Sequence, residues 1–137
     1  MASKIFDDLP LPPVARLLGW KLIAMDPQAG TIDLEFLART EFTNPSGFVQ
    51  GGLIAAMLDD TLGPAAYAMA NGERMPSTID LHVHYMRPVR PGRVTTKARV
   101  VSTGTRIAFL SGELFDAKGR LSATATASAM MTDYRPS

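Results

Sequence analysis

Gly51-Gly52 and Asp59 are the residues whose types and spacing best suit chemistry in this 137-residue chain. The glycine pair heads a long apolar run, Leu53 to Ala70, that closes on Asn71-Gly72, a good helix-ending pair. The first amides of a helix have no partner inside it and sit at its positive end. Uncovered by side chains, they can stabilise negative charge developing on an oxygen. Asp59 follows on or near the same side, about 12 Å along the axis by helix rise alone. That is far for one helix to complete a site unaided, so a substrate lying along the groove or groups from a second subunit would have to span it. The neighbours of Asp59 at three and four positions (Ala55, Ala56, Leu62 and Gly63) are small or apolar. An unpaired carboxylate buried among them is costly, which favours a function over a solvated face. Asp60 points about 100° away and reads as the solvated partner of the pair. Asn44, ahead of Pro45, Ser46 and Gly47, reads by itself as a turn residue.

These residues need elements to hold them. The run after Gly52 is apolar nearly all round, with Leu53, Ile54, Met57, Leu58, Leu62, Tyr67 and Met69 in no single stripe, so it must be enclosed on most sides. Pro64 removes the hydrogen bond to the Asp60 carbonyl, which predicts a kink. Residues 1–10 read as a loose arm, and Val14 to Leu18 as a short helix after Pro12-Pro13. A hairpin follows from Trp20–Met25, a turn at Asp26 to Gly30, and alternating Ile32, Leu34 and Phe36. Thr40 to Gln50 is irregular. Four more strands are predicted, Thr78–Met86, Val94–Ser102, Ile107–Phe115 and Leu121–Met131, the first with Ile79, Leu81, Val83 and Tyr85 opposite Asp80, His82 and His84. In the last, Ala123, Ala125, Ala127 and Ala129 share a face that lets a helix approach closely. The connections are too short for helical crossovers, so the class is α+β, a mainly antiparallel sheet of about six strands curled around one central helix over a single domain, 1–137.

Composition removes several functions. Net charge is +1 with acids and bases interspersed, so no basic stripe suits nucleic acid. The absence of cysteine excludes disulfides, thiolate metal sites and a thiol nucleophile. The opening MASKIFDDLP has no secretory h-region, and the apolar run carries Asp59, Asp60 and Pro64, so neither export nor a membrane span is expected. The location expected is the cytoplasm. His82, His84 and Asp80 share a strand face but supply only part of a metal shell, and read as a polar face or subunit contact.

With Asn44, Gly47, Gly51, Gly52 and Asp59 in register, the chain resembles the hotdog-fold acyl-CoA thioesterases of the phenylacetate-pathway branch. There an Asn and a Gly precede His-Gly-Gly at the head of the central helix, with an acid nine positions after the His, as Asp59 follows position 50 here. Thr78-Ile-Asp80-Leu-His-Val-His-Tyr85-Met86-Arg-Pro88 resembles the family's central strand, and the likeness spans residues 14–132. It implies hydrolysis of an acyl-CoA to coenzyme A and a free acid, with Asp59 as general base or nucleophile. The Gly51 N–H would polarise the carbonyl, Asn44 and Gln50 would orient substrate or water, and Thr78 from the partner subunit would position the water or nucleophile. Gly52, Arg90 and Arg106 are the further substrate contacts, the arginines as holders of CoA phosphates. The resemblance also implies a homodimer at least, commonly a tetramer, with no metal and no cofactor beyond the coenzyme A of the substrate. The departure is Gln50, which stands where relatives have His and cannot shuttle a proton at neutral pH. A hotdog protein that binds acyl-CoA without turnover is therefore the alternative; a dehydratase is disfavoured, since neither histidine lies near the helix motif.

Overall fold

The apolar run becomes one helix, α2 (Gly51–Met69), in a computed structural model that describes residues 5–7 and 9–134. Its buried residues, among them Ile54, Met57, Leu58, Leu62, Ala65 and Tyr67, point in several directions, as the all-round apolar sequence demands. The preceding helix α1 (Pro13–Leu18) starts on the proline that suits a first turn. The strands are β1 (Lys21–Asp26), β2 (Thr31–Ala38), β3 (Arg74–Tyr85), β4 (Gly92–Thr103), β5 (Ile107–Phe115) and β6 (Leu121–Asp133). They form one antiparallel sheet in the order β1-β2-β4-β5-β6-β3, with α2 against one face. This is the hotdog arrangement. No helix among the described residues is long and apolar enough to cross a membrane.

Small residues make the helix fit. Ala123, Ala125, Ala127 and Ala129 of β6 are all buried, and on β5 a Cβ at Gly112 would stand 3.1 Å from Leu62 Cδ2. A buried polar contact between helix and sheet is satisfied: Thr61 Oγ1 donates to the Met57 carbonyl at 2.7 Å and can accept from Thr96 Oγ1 at 2.8 Å. The chain turns where its aspartates can bind backbone amides. Asp26 Oδ1 accepts from Gln28 and Ala29, and Asp116 Oδ1 from Lys118 and Arg120.

The helix continues through Pro64, and the Asp60 carbonyl freed by that proline accepts the indole N–H of Trp20 at 3.1 Å. Two features differ from the expectation. Residues 1–4 and 8 of the N-terminal arm lie outside the described residues. Phe6, however, is docked rather than loose, its ring 5.5 Å from Trp20 and 5.7 Å from Tyr67. Finally, β3 begins before Thr78 and takes in Pro76, which an edge strand tolerates because its open side needs no donor.

A bulge in β3 matters most for function. Thr78 pairs with Ala129 and Asp80 with Ser128, so Ile79 is an extra residue between them. Simple alternation would put Thr78 with Asp80, His82 and His84 on the outer face. The extra residue shifts the phase and turns Thr78 inward, onto the helix side with Leu81, Val83 and Tyr85.

Candidate active site

The entrance of α2 leaves two amides free. Gln50 stands at the cap with extended backbone, and its carbonyl takes the N–H groups of Leu53 (2.9 Å) and Ile54 (3.2 Å). Its own N–H donates to the Phe42 carbonyl at 2.8 Å, and its exposed side chain makes no capping bond. The amides of Gly51 and Gly52 therefore have no acceptor among the described residues, at the positive end of a 19-residue helix. The two glycines are there for different reasons. A Cβ on Gly51 would meet the Tyr85 ring at 3.3 Å, whereas one on Gly52 would meet nothing within 4 Å. Tyr85 also donates its hydroxyl to the Gly51 carbonyl at 2.7 Å. Alternation already puts Tyr85 with Leu81 and Val83 on the helix side, but nothing in the strand pattern signals its bond to the Gly51 carbonyl.

Asn44 fixes the loop in front of the helix. Its Oδ1 accepts from the amides of Ser46 (3.0 Å) and Phe48 (3.2 Å), so its side-chain nitrogen is the end left to face a ligand. Asn44, Phe48, Gly51, Ile54, Tyr85 and Val89 line a cleft of about 400 Å³. Arg90 lies at this end, its guanidinium 4.9 Å above the Phe48 ring. Arg106 does not join it. It follows the β4–β5 turn, its carbonyl accepting the Met131 amide, and the adjoining turn residues Thr103 and Gly104 border a cleft with Met69, at the far end of α2.

Asp59 is exposed, and its Oδ1 accepts the Thr78 hydroxyl at 2.8 Å. The bond lies within one chain: the bulge brings this chain's own Thr78 to this chain's Asp59, so the two side chains act as a pair. That bond fixes one carboxylate oxygen and leaves the other available.

Asp60 also departs from expectation. It is not a solvated residue but a half-buried one, and its backbone carbonyl takes the Trp20 indole N–H. Asp60 Oδ2 is enclosed without a partner, and burial, reinforced by the charge of Asp59, pushes its carboxyl up to about 7. His82 and His84 stand on the outer sheet face with rings 4.6 Å apart, away from the helix. Beside them the Asp80 carboxyl accepts the Ser128 hydroxyl and amide, which hold it below the usual carboxylate range.

Comparison with known proteins places this arrangement. A phenylacetic acid degradation-related protein from Ralstonia eutropha JMP134 superposes with a TM-score of 0.88 at 35% identity, over 94% of this chain and 98% of that one. A thioesterase family protein from Silicibacter pomeroyi gives 0.86 at 26% identity, over 97% and 98%. Human acyl-coenzyme A thioesterase 13 is 31% identical over 77% of this chain and 76% of its own. The 1,4-dihydroxy-2-naphthoyl-CoA hydrolase of Escherichia coli K12 is 29% identical over 56% and 57%. Residues 46–123, which run from the loop before the helix into β6, match the thioesterase superfamily. By fold and by sequence, this chain belongs to the hotdog thioesterase superfamily.

Proposed function

We propose that the protein hydrolyses the thioester of an acyl- or aryl-CoA, releasing coenzyme A and the free carboxylic acid. The observation that carries this reading is the pairing, on one helix, of two acceptor-free amides with a carboxylate oriented by Thr78. The thioester carbonyl oxygen would face the Gly51 and Gly52 amides, which stabilise it as it gains charge. Asp59 takes a proton from water as the water oxygen bonds to the carbonyl carbon. Collapse of the tetrahedral species then breaks the C–S bond and expels the CoA thiolate. If Asp59 attacks directly, an anhydride forms instead, which water then opens; heavy oxygen found in Asp59 after a single turnover in labelled water marks that route, with water attacking the aspartyl carbon. Asn44 would orient the substrate through its side-chain nitrogen, Gln50 could position but not shuttle a proton, and Arg90 would meet a phosphate at the rim. Two of the relatives carry names that specify a CoA thioester, which supports coenzyme A as the leaving group.

The site is composite in this reading. Gly51 and Asp59 are about 12 Å apart by helix rise, too far for one thioester to touch both. Each, however, abuts the open edge strand: Asp59 at Thr78 and Gly51 at Tyr85. Two copies of β3 paired antiparallel about a two-fold at His82 would set Leu81 opposite the partner subunit's Val83. The bulged pair 78–79 would then face the partner subunit's Tyr85, which brings one chain's Asp59 toward the other's helix entrance. On the outer face His84 would meet the partner subunit's Asp80, a favourable cross-strand pair. Arg106, remote from Arg90 in its own chain, would serve if at all from the second protomer.

The test is thiol release from a panel of acyl- and aryl-CoAs. Asp59→Ala should lower kcat/KM by about a hundredfold or more, as expected for loss of a general base. Release that this change leaves untouched would remove Asp59 from the chemistry. Because Gln50 stands where a proton-transferring His is usual, binding without turnover is the second reading; tight acyl-CoA binding with no release by the wild type would select it.

A further inference from the structure

Tyr85 makes a bond that its packing does not require. In the single chain it sits on the open edge strand with 55% of its surface exposed, so its ring packing leaves the hydroxyl free to bond elsewhere, and a phenylalanine ring would wall the cleft equally well. Instead the hydroxyl reaches the Gly51 carbonyl at 2.7 Å while the ring lies where a Gly51 side chain would be. That carbonyl and the Gly52 N–H belong to one planar peptide group. A donor on the oxygen draws electron density from the nitrogen, and so strengthens the N–H as a donor; hydrogen bonds in series reinforce one another in this way. The bond also fixes the plane of the peptide, hence the direction in which the Gly52 N–H points. Without it, the first peptide of a helix with no side-chain cap is held only by its one intrahelical acceptor bond.

We infer that Tyr85 is a positioning residue of the thioester site: its hydroxyl orients and polarises the Gly51–Gly52 peptide, so that the Gly52 amide joins that of Gly51 in receiving the oxyanion. The inference rests on the thioesterase reading above and adds a residue that acts through the peptide rather than on the substrate. It also accounts for the division of labour between the glycines. Gly51 is bare so that Tyr85 can approach from β3, and Gly52 is bare so that a substrate can approach from solvent.

Tyr85→Phe tests it, because the ring and therefore the wall of the cleft remain. The expected result is a fall in kcat of about tenfold with KM unchanged within twofold, less than the hundredfold or more typical of deleting an oxyanion donor outright. In isotope-labelled protein without substrate, the Gly51 carbonyl carbon and the Gly52 amide nitrogen should both shift in the variant. Wild-type kcat together with unmoved resonances would overturn the inference while leaving the thioesterase reading intact. Shifted resonances in a protein that releases no thiol from any CoA ester would uphold the positioning of the peptide and sink the hydrolase reading. A fall in kcat with unmoved resonances would also overturn the inference, since Tyr85 would then act by some route other than this peptide.

Discussion

Asp59 and Asp60 are adjacent in sequence and unlike in surroundings. Asp59 is exposed and held by Thr78, whereas Asp60 is half-buried with one oxygen enclosed and unpaired. The consequence is a pH dependence with a definite sign. The Asp60 carboxyl rises from 3.8 to about 7 on folding, because of burial first and the neighbouring charge second. Between those values the native protein holds a proton that the unfolded chain has released, so stability falls as pH rises through that window and is level on either side. Asp60→Asn should flatten this slope. It should leave stability near wild type at pH 4 and raise it at pH 8 by about 1–2 kcal/mol, after allowance for the part of the group that water still screens. Urea unfolding at pH 4, 6 and 8 measures it, and parallel slopes for the two proteins would contradict the assignment. Helical geometry alone does not foresee this, because it gives the direction in which Asp60 points but not what packs around it. The burial that its small and apolar neighbours suggested for Asp59 falls instead on Asp60: Asp59 is exposed and hydrogen-bonded by Thr78.

At the scale of elements, α2 and its start were written plainly in the sequence: an all-round apolar run opened by Gly51-Gly52 needs a wrapping sheet. The response to Pro64 was not legible, since the donor that answers it lies in another element. Trp20→Phe should cost about 1–2 kcal/mol by leaving the Asp60 carbonyl short of a partner. In a Pro64→Ala background, where the residue-64 amide returns to that carbonyl, the same change should cost about 1 kcal/mol less. A double-mutant cycle by thermal or urea unfolding reads the difference, and full additivity would mean that the indole serves only as packing. The other misread element was β3. Period-two alternation assigns every second residue to one face, and a single extra residue defeats it without leaving a signature in composition.

For the whole molecule, the decisive feature is that the sheet ends on β3, next to both halves of the proposed site. In the proposed dimer, pairing about His82 would set that residue opposite its own counterpart. His82→Glu would therefore place two acids face to face across the seam and should weaken dimerisation at least tenfold, with thiol release falling in step as monomer accumulates. Sedimentation at micromolar concentration and activity against dilution measure both. A dimer of undiminished affinity would show that the copies meet elsewhere. The length of helix between Gly51 and Asp59 is what suggests a second subunit in the sequence; the edge proposed to meet it is not legible there, because alternation puts Thr78 and Tyr85 on opposite faces. Their common orientation depends wholly on Ile79, and this sets how the site can vary over evolutionary time. Substitution at Ile79, whose side chain is exposed, leaves the count of residues unchanged and so the phase of the strand intact. Loss of that one codon would rotate Thr78 away from Asp59 without altering any residue of the site, so descent can rewrite the letter at this position far more freely than it can erase it.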